Sequence, residues 1–402
     1  MSSICLYVQI HQPFRLRPFT VFDIGKNESY FDLKTNKDIL QKVAKHSYIP
    51  TLERIEKLIA KTNLAITFSI SGLALEQLQE YEPTVIEKLK KLATSSQVSF
   101  LSETYHHNLA SVYSHEEFIE QIQLHTKALK YYLGIDKPTI FRNTELIYSD
   151  EIAQIVESLG YKAILAEGVP EMLDWRSPNH LYTAKDTTLK VFFKNFKLSD
   201  DIAFRFSDKK WADWPLTPEK FAKWTQQSQA QLINLFIDFE TFGEHQREDS
   251  GIFTFLEELP DAINDAGGTF MTLPTACSTF ESKGEISVPT FTSWADQKRD
   301  LSAWTQNTMQ QSAIRRIFDL REQVLKTKDK TLIDDWRKLT TSDHFYYMST
   351  KIASDGAVHS YFSPYDSPYD AFIAFMNVVS DLEKRVLQTQ QQEKAQATPS
   401  KK

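Results

Sequence analysis

Short apolar runs and longer stretches with helical spacing take turns along the first two thirds of the chain. The order is ICLYVQI at 4–10, LERIEKLIAKT at 52–62, LAITFSI at 64–70, ALEQLQEYEPTVIEKLKKLATS at 74–95 and QVSFL at 97–101. EEFIEQIQLHTKALKYYLG, PTIFRNT, SDEIAQIVESLG, YKAILAEG and QAQLINLFIDF then carry the same rhythm from 116 to 239. A short run of four to eight apolar positions suits a buried strand, and recurrence at three and four suits an amphipathic helix. Their alternation predicts parallel strands joined by crossover helices, an α/β fold, and roughly 275 residues is the size of a (β/α) barrel.

The rhythm fails between Val169 and Lys220, where LKVFFKNFKLSDDIAFRF, Trp211 and Trp214 lie; this predicts a loop-rich insertion over the barrel mouth. The expected catalytic domain spans 1–277 and contains that insertion near 169–220. A helical C-terminal domain is expected over 278–387, built on three amphipathic segments read at 300–327, 330–350 and from 367 to about 390, and the polar stretch 388–402 reads as a disordered tail.

Composition adds limits to this picture. The 402 residues carry a net charge of −7, which disfavours an electrostatic grip on nucleic acid or an acidic membrane surface. Cys5 and Cys277 are the only cysteines; they make no zinc-ligand pattern, and although one long-range disulfide is formally open, a reducing compartment fits best. No apolar segment approaches the ~20 residues that span a bilayer, and MSSICLYVQIHQPF lacks the form of a signal peptide, so a soluble, cytoplasmic protein is expected. Oligomeric state is not legible.

In a parallel barrel, chemistry sits on the residues that follow the strands. Five places qualify: His11 after the first run, Ser71 and Gly72, Glu103 with His106 and His107, Glu145, and Asp238 with Glu240. Within IDFETFGEH at 237–245, strand alternation puts Phe236, Asp238 and Glu240 on one face and Leu235, Ile237 and Phe239 on the other. Burying two carboxylates under helices would be costly, so Asp238 and Glu240 are expected to face the barrel mouth. A satisfied acidic turn is the plainer reading of the same residues. For Glu145 the plain reading is an ordinary polar turn residue, with Ser149 or Asp150 capping the next helix. Arg142 is placed to hold a carboxylate ionised.

Two carboxylates from different strand ends suit glycoside hydrolysis, and they suit a hard cation as well. Adjacent His106 and His107 would face opposite ways on a strand, and no HExxH occurs, so no metal or other cofactor is expected. The chain has no GxSxG, GxxxxGK[ST] or GxGxxG.

Taken together, HQP at 11–13, FRNTELIYSD at 141–150 and FIDFETFGEHQ at 236–246 resemble glycoside hydrolase family 57, in its alpha-amylase-type branch. SETYHH at 102–107 and SDHFYYMSTK at 342–351 look like two further conserved regions, so the resemblance runs from Ile4 to about Asp381. It implies an incomplete (β/α)7 TIM-like barrel followed by an α-helical C-terminal domain that completes the cleft. It also implies action on α-1,4-glucans or maltooligosaccharides with net retention and without a metal. By motif match, Glu145 would be the nucleophile and Asp238 the general acid and base, with carboxyl groups about 5 to 5.5 Å apart if the mechanism is retaining.

Asp238 would be kept protonated by Phe236, Phe239, Phe242 and nearby carboxylates. His11 would meet a sugar hydroxyl; Glu103, His106, Arg142, Glu240, His245 and Asp343 are candidate substrate or supporting contacts. Trp211, Trp214, Trp304 and Tyr346 are candidate stacking platforms. Within the same family the chain could instead be a 4-α-glucanotransferase or a branching enzyme, and outside enzymes a glucan-binding relative without turnover. A metal-dependent deacetylase on a similar barrel is disfavoured, because no paired aspartates follow an early strand.

Overall fold

Why the apolar runs become strands is visible in how a computed structural model divides their side chains. It describes residues 2–26, 29–228, 230–351 and 363–397. In β1 (Ser3–Ile10), Ile4, Leu6, Val8 and Ile10 enter one apolar cluster, whereas Cys5 and Tyr7 enter another. In β8 (Leu232–Asp238), Ile233, Leu235 and Ile237 join the first, and Leu232 and Phe236 the second. A strand buried on both faces must be apolar at successive positions, which is why these runs lack polar alternation.

β2 (Ile66–Ile70) and β3 (Val98–Phe100) follow, and the parallel sheet they form has the order β3, β2, β1, β8, with β9 (Thr269–Phe270) paired to β1. A second sheet has the order β10 (Glu285–Ile286), β6 (Leu181–Ala184), β7 (Lys190–Lys194), β5 (Ala163–Glu167), β4 (Ile140–Phe141). Its β6 runs antiparallel to β7, an exception to the expected parallel arrangement.

Hydrogen bonds also connect the two sheets. The Ser102 amide donates to the Ile140 carbonyl at 3.1 Å and the Arg142 amide to the Ser102 carbonyl at 2.8 Å. At the other side the Asn195 amide donates to the Asn234 carbonyl at 2.9 Å, and Asn234 Nδ2 to the Phe193 carbonyl at 2.9 Å.

Between 169 and 220 the chain forms β6, β7 and the helices Pro170–Leu173 and Phe196–Ala203. The sequence reading saw only an excursion there, because Lys190 and Lys194 interrupt the apolar run; both sit on one face of a strand whose Val191 and Phe193 are buried on the other. Cys5 and Cys277 are both free thiols.

Two compact units divide the chain. One comprises 1–12, 37–105 and 119–294 and holds every strand among the described residues; the other comprises 13–36, 106–118 and 295–402. In the second unit the apolar periodicity after 300 is realised as shorter helices, Ser302–Thr305, Thr308–Asp319 and Arg321–Thr327, because Asn307 and Gln310 form a capping box that starts a new helix. Lys330–Leu339 and Ser342–Tyr346 follow. Asn377 Nδ2 donates to the Phe19 carbonyl at 3.2 Å, and Tyr30 Oη to Asp381 at 2.7 Å, tying the last helix to 13–36.

That helix runs from Pro368 to Ala397, past the point where the sequence reading begins a tail. Glu, Gln, Lys and Ala are good helix formers, so a helix already packed through Phe375, Val379 and Leu382 can continue through a polar segment. Residues 398–402 lie outside the described residues. Among the described residues, no helix is long and apolar enough to cross a membrane.

Candidate active site

The face of the strands that carries Tyr7 and Phe236 ends, one pleat further on, in polar side chains. Two positions beyond Tyr7 is Gln9, and two beyond Phe236 is Asp238; the ladder between β1 and β8 sets these two residues in register. By the same step, Leu101 leads to Glu103, Ile140 to Arg142, Leu165 to Glu167 and Phe192 to Lys194. Tyr7 and Phe236, edge to face at 5.2 Å, lie in the apolar layer beneath.

These polar side chains are paired. Arg142, fully buried, donates through Nη2 to Gln9 Oε1. Ser69 donates to Glu103. Lys194 lies 3.5 Å from Glu167 and 3.1 Å from Asp200. A buried ion pair of this kind needs such partners, because an uncompensated charge in the layer would cost several kcal/mol.

Glu145 is reached by a different route. β4 ends at Phe141, and a 3₁₀ turn over Thr144–Leu146 holds Glu145 at φ 54° and Leu146 at φ 53°. Two consecutive non-glycine residues in the left-handed region cost about 1–3 kcal/mol each and persist only where neighbours over-determine them. Trp294 does so: its amide donates to the Glu145 carbonyl at 3.0 Å and its indole Nε1 to Glu145 Oε2 at 2.6 Å. Ser149 caps the following helix, accepting from the Ile152 amide at 3.3 Å, as the sequence predicts.

At Asp238 the strand turns into a 3₁₀ segment, Phe239–Thr241, that buries Glu240. Tyr48, the last residue of a π-helical turn over Ala44–Tyr48, donates its hydroxyl to Glu240. Burial, reinforced by the negative charge of Asp238, pushes the Glu240 carboxyl up to about 8. Phe239 stacks on Tyr48 at 6.0 Å and joins the helix-side cluster together with Phe242, while Phe236 joins the other; the three do not form one apolar wall around Asp238. Further along, burial drives His245 down to about 4, and Glu244 takes Lys42 at 2.6 Å and His46 at 3.4 Å.

His11 Nδ1 lies 2.7 Å from the hydroxyl of Ser71, which caps the helix Gly72–Tyr81. Trp211 packs edge-on to Trp224 at 6.0 Å against the outer core. Four of the candidate contacts, His106, Trp304, Asp343 and Tyr346, belong to the second unit. His106 lies in a turn and His107 just after it, neither on a strand. Trp304 is buried beside Tyr346, and Asp343 acts electrostatically on buried His344 and Tyr347. Among the described residues, no group of three or more His, Cys, Asp or Glu side chains is arranged to hold a metal ion.

Several site residues escaped the sequence reading. Glu167 ends the apolar run YKAILAEG and was available to the same strand-end rule that selects Asp238. Gln9 was legible as the inward position after Tyr7. Trp294, 149 positions from Glu145, carries no local signal.

Carboxylates, an arginine and a lysine gathered in one layer at the strand ends of an α/β fold suit hydrolytic or transfer chemistry. The chain belongs to glycosyl hydrolase family 57, whose model matches residues 5–289. A Methanocaldococcus jannaschii protein named "Putative alpha-amylase" is 41% identical over 392 residues, covering 93% of this chain and 83% of its own. Among solved structures, a family 57 branching enzyme from Thermococcus kodakaraensis superposes with a TM-score of 0.71 at 15% identity, covering 96% of this chain and 91% of that one. A 4-alpha-glucanotransferase from Thermococcus litoralis gives 0.59 at 17% identity, with 90% and 54% covered. At these identities the two structures bear on the fold alone.

Proposed function

We propose that the chain is a retaining glycoside hydrolase of the alpha-amylase type, acting on α-1,4-glucans, with Glu145 as nucleophile and Asp238 as general acid and base. The carrying observation is the placement of Asp238 in the polar strand-end layer while Glu145 is held at its rim by Trp294. Family membership supports the reaction class, and the alpha-amylase name of the 41% identical relative supports the substrate class. The scaffold we infer is a (β/α)7 barrel: the hydrogen bonds run in a closed circuit through β3, β2, β1, β8, β7, β5 and β4.

In this mechanism Asp238 gives its proton to the glycosidic oxygen as a Glu145 oxygen attacks the anomeric carbon, and the leaving sugar departs with its new hydroxyl. Water then loses a proton to Asp238 while its oxygen displaces Glu145. Asp238 must carry a negative charge between the two steps. Glu240, pushed up to about 8, is neutral at pH 7 and leaves room for that charge.

Incubating the protein with maltoheptaose tests the reading. New reducing ends released as the α-anomer, seen by proton NMR before mutarotation, support retaining hydrolysis. Longer chains without new reducing ends point to transfer, and binding without either change rejects an enzyme.

A further inference from the structure

We propose that Trp294 is the positioning residue of Glu145, its indole N–H fixing one carboxylate oxygen and favouring the negatively charged form that attacks. This rests on Glu145 being the nucleophile. The contact is made twice, once by the indole at 2.6 Å and once by the backbone amide at 3.0 Å. The two segments are also joined further along: Tyr148 and Thr292 exchange backbone hydrogen bonds at 3.0 and 2.9 Å. Residues 292–294 therefore run as a splint along 145–148, which accounts for how the left-handed Glu145 keeps one orientation.

Charge around the indole works in the same direction. The Arg142 guanidinium lies 5.1 Å from the Trp294 ring centroid and the Lys194 ammonium 5.4 Å. A cation over an indole face withdraws electron density and makes the N–H a better donor, and an N–H bond to a carboxylate is about twice as strong as one between neutral groups. Other ionisable groups on the surrounding elements include Glu167 and Asp200, both against Lys194, together with Asp150, Glu103 and Asp238, and Glu240, which is neutral at pH 7. Against that many carboxylates, a fixed donor on Glu145 is what keeps the charge where the reaction needs it.

Trp294→Phe keeps an aromatic ring under the two cations and removes the donor; Trp294→His restores a ring N–H. The Phe variant is expected to lose about tenfold to a hundredfold in kcat, the worth of one hydrogen bond to a charged group, with KM changed by less than about threefold. The acid limb of its kcat/KM profile moves to higher pH by about one unit, because the ionised form has lost its donor, and the His variant moves it back. A Phe variant with wild-type kcat and limb overturns the proposal, and if Glu145→Gln is inactive in the same assay the proposed function still stands. An active Glu145→Gln instead removes the nucleophile, and the proposal falls with it. Should the Phe variant not fold, ¹⁵N-tryptophan NMR of the intact protein decides: one indole N–H must shift across the acid limb in wild type and stay still in Glu145→Gln. Absence of a titrating indole overturns the proposal.

Discussion

Gln9 and Asp238 stand opposite one another on neighbouring parallel strands, and Gln9 accepts the side-chain hydrogen bond of buried Arg142. Through this pair the β1–β8 ladder connects the proposed proton donor to the residue that precedes the Glu145 turn. Catalysis by two carboxylates requires their separation to be fixed within fractions of an ångström. A buried hydrogen bond between strands provides that better than a loop.

Glu145→Gln and Asp238→Asn are each expected to reduce turnover of maltoheptaose by at least about a thousandfold while the circular dichroism spectrum and melting temperature stay near wild type. A small azide ion should partly restore activity to Glu145→Ala, by taking the nucleophile's place at the anomeric carbon. Retention of more than a few per cent of activity by either isosteric variant removes that residue from the assigned role.

Glu240 gives a pH-dependent stability. Its carboxyl sits higher in the folded protein, at about 8, than its ordinary value of 4.5, first because it is buried and then because of Asp238. Between those values the folded state holds a proton that the unfolded state releases, so stability falls as pH rises through that window. Glu240→Gln is expected to lose this slope and to melt progressively higher than wild type as pH increases toward 8. Thermal unfolding across the pH range measures it, and parallel curves for the two proteins refute the assignment.

His125 is expected to act in the opposite sense. It is buried, its Nε2 lies 2.8 Å from the Ile70 carbonyl and its Nδ1 accepts the Glu103 amide at 3.1 Å. These partners require the neutral ring protonated on Nε2, since a proton on Nδ1 would face another donor. Burial lowers its pKa below 6.5, so its contribution is complete above that value and is lost as pH falls beneath it. His125→Phe should cost about 1–3 kcal/mol by orphaning the Glu103 amide and flatten this acid dependence, read by urea unfolding at pH 7 and pH 5.

Gly243 tolerates no side chain. Its φ is +106°, and a Cβ there would meet the His46 carbonyl oxygen at 2.1 Å, against backbone that cannot swing aside. Gly243→Ala should destabilise by about 3 kcal/mol or more and lower activity by displacing the turn that follows Asp238. A wild-type melting temperature for this variant would show that the turn is not held as described.

The pattern of apolar runs is enough to place β1, β2, β5 and β8 and to put Asp238 at a strand end, because a strand buried on both faces has to reveal where its burial stops, while Glu145, four residues beyond β4, is singled out by the FRNTE motif match. It missed β7, whose two lysines resemble an exposed loop until Lys194 is seen against Glu167 and Asp200. It expects three phenylalanines around Asp238, whereas Phe236 joins one apolar cluster and Phe239 and Phe242, both beyond the last strand residue, join the other.

By itself, then, the sequence determined where its continuous apolar strands lie and that Asp238 ends one of them, since period-two geometry acts within a few positions. Tertiary structure alone decided that Gln9 meets Arg142, Tyr48 meets Glu240 and Trp294 meets Glu145. Each is a long-range hydrogen bond between side chains whose spacing along the chain carries no information about their distance in space.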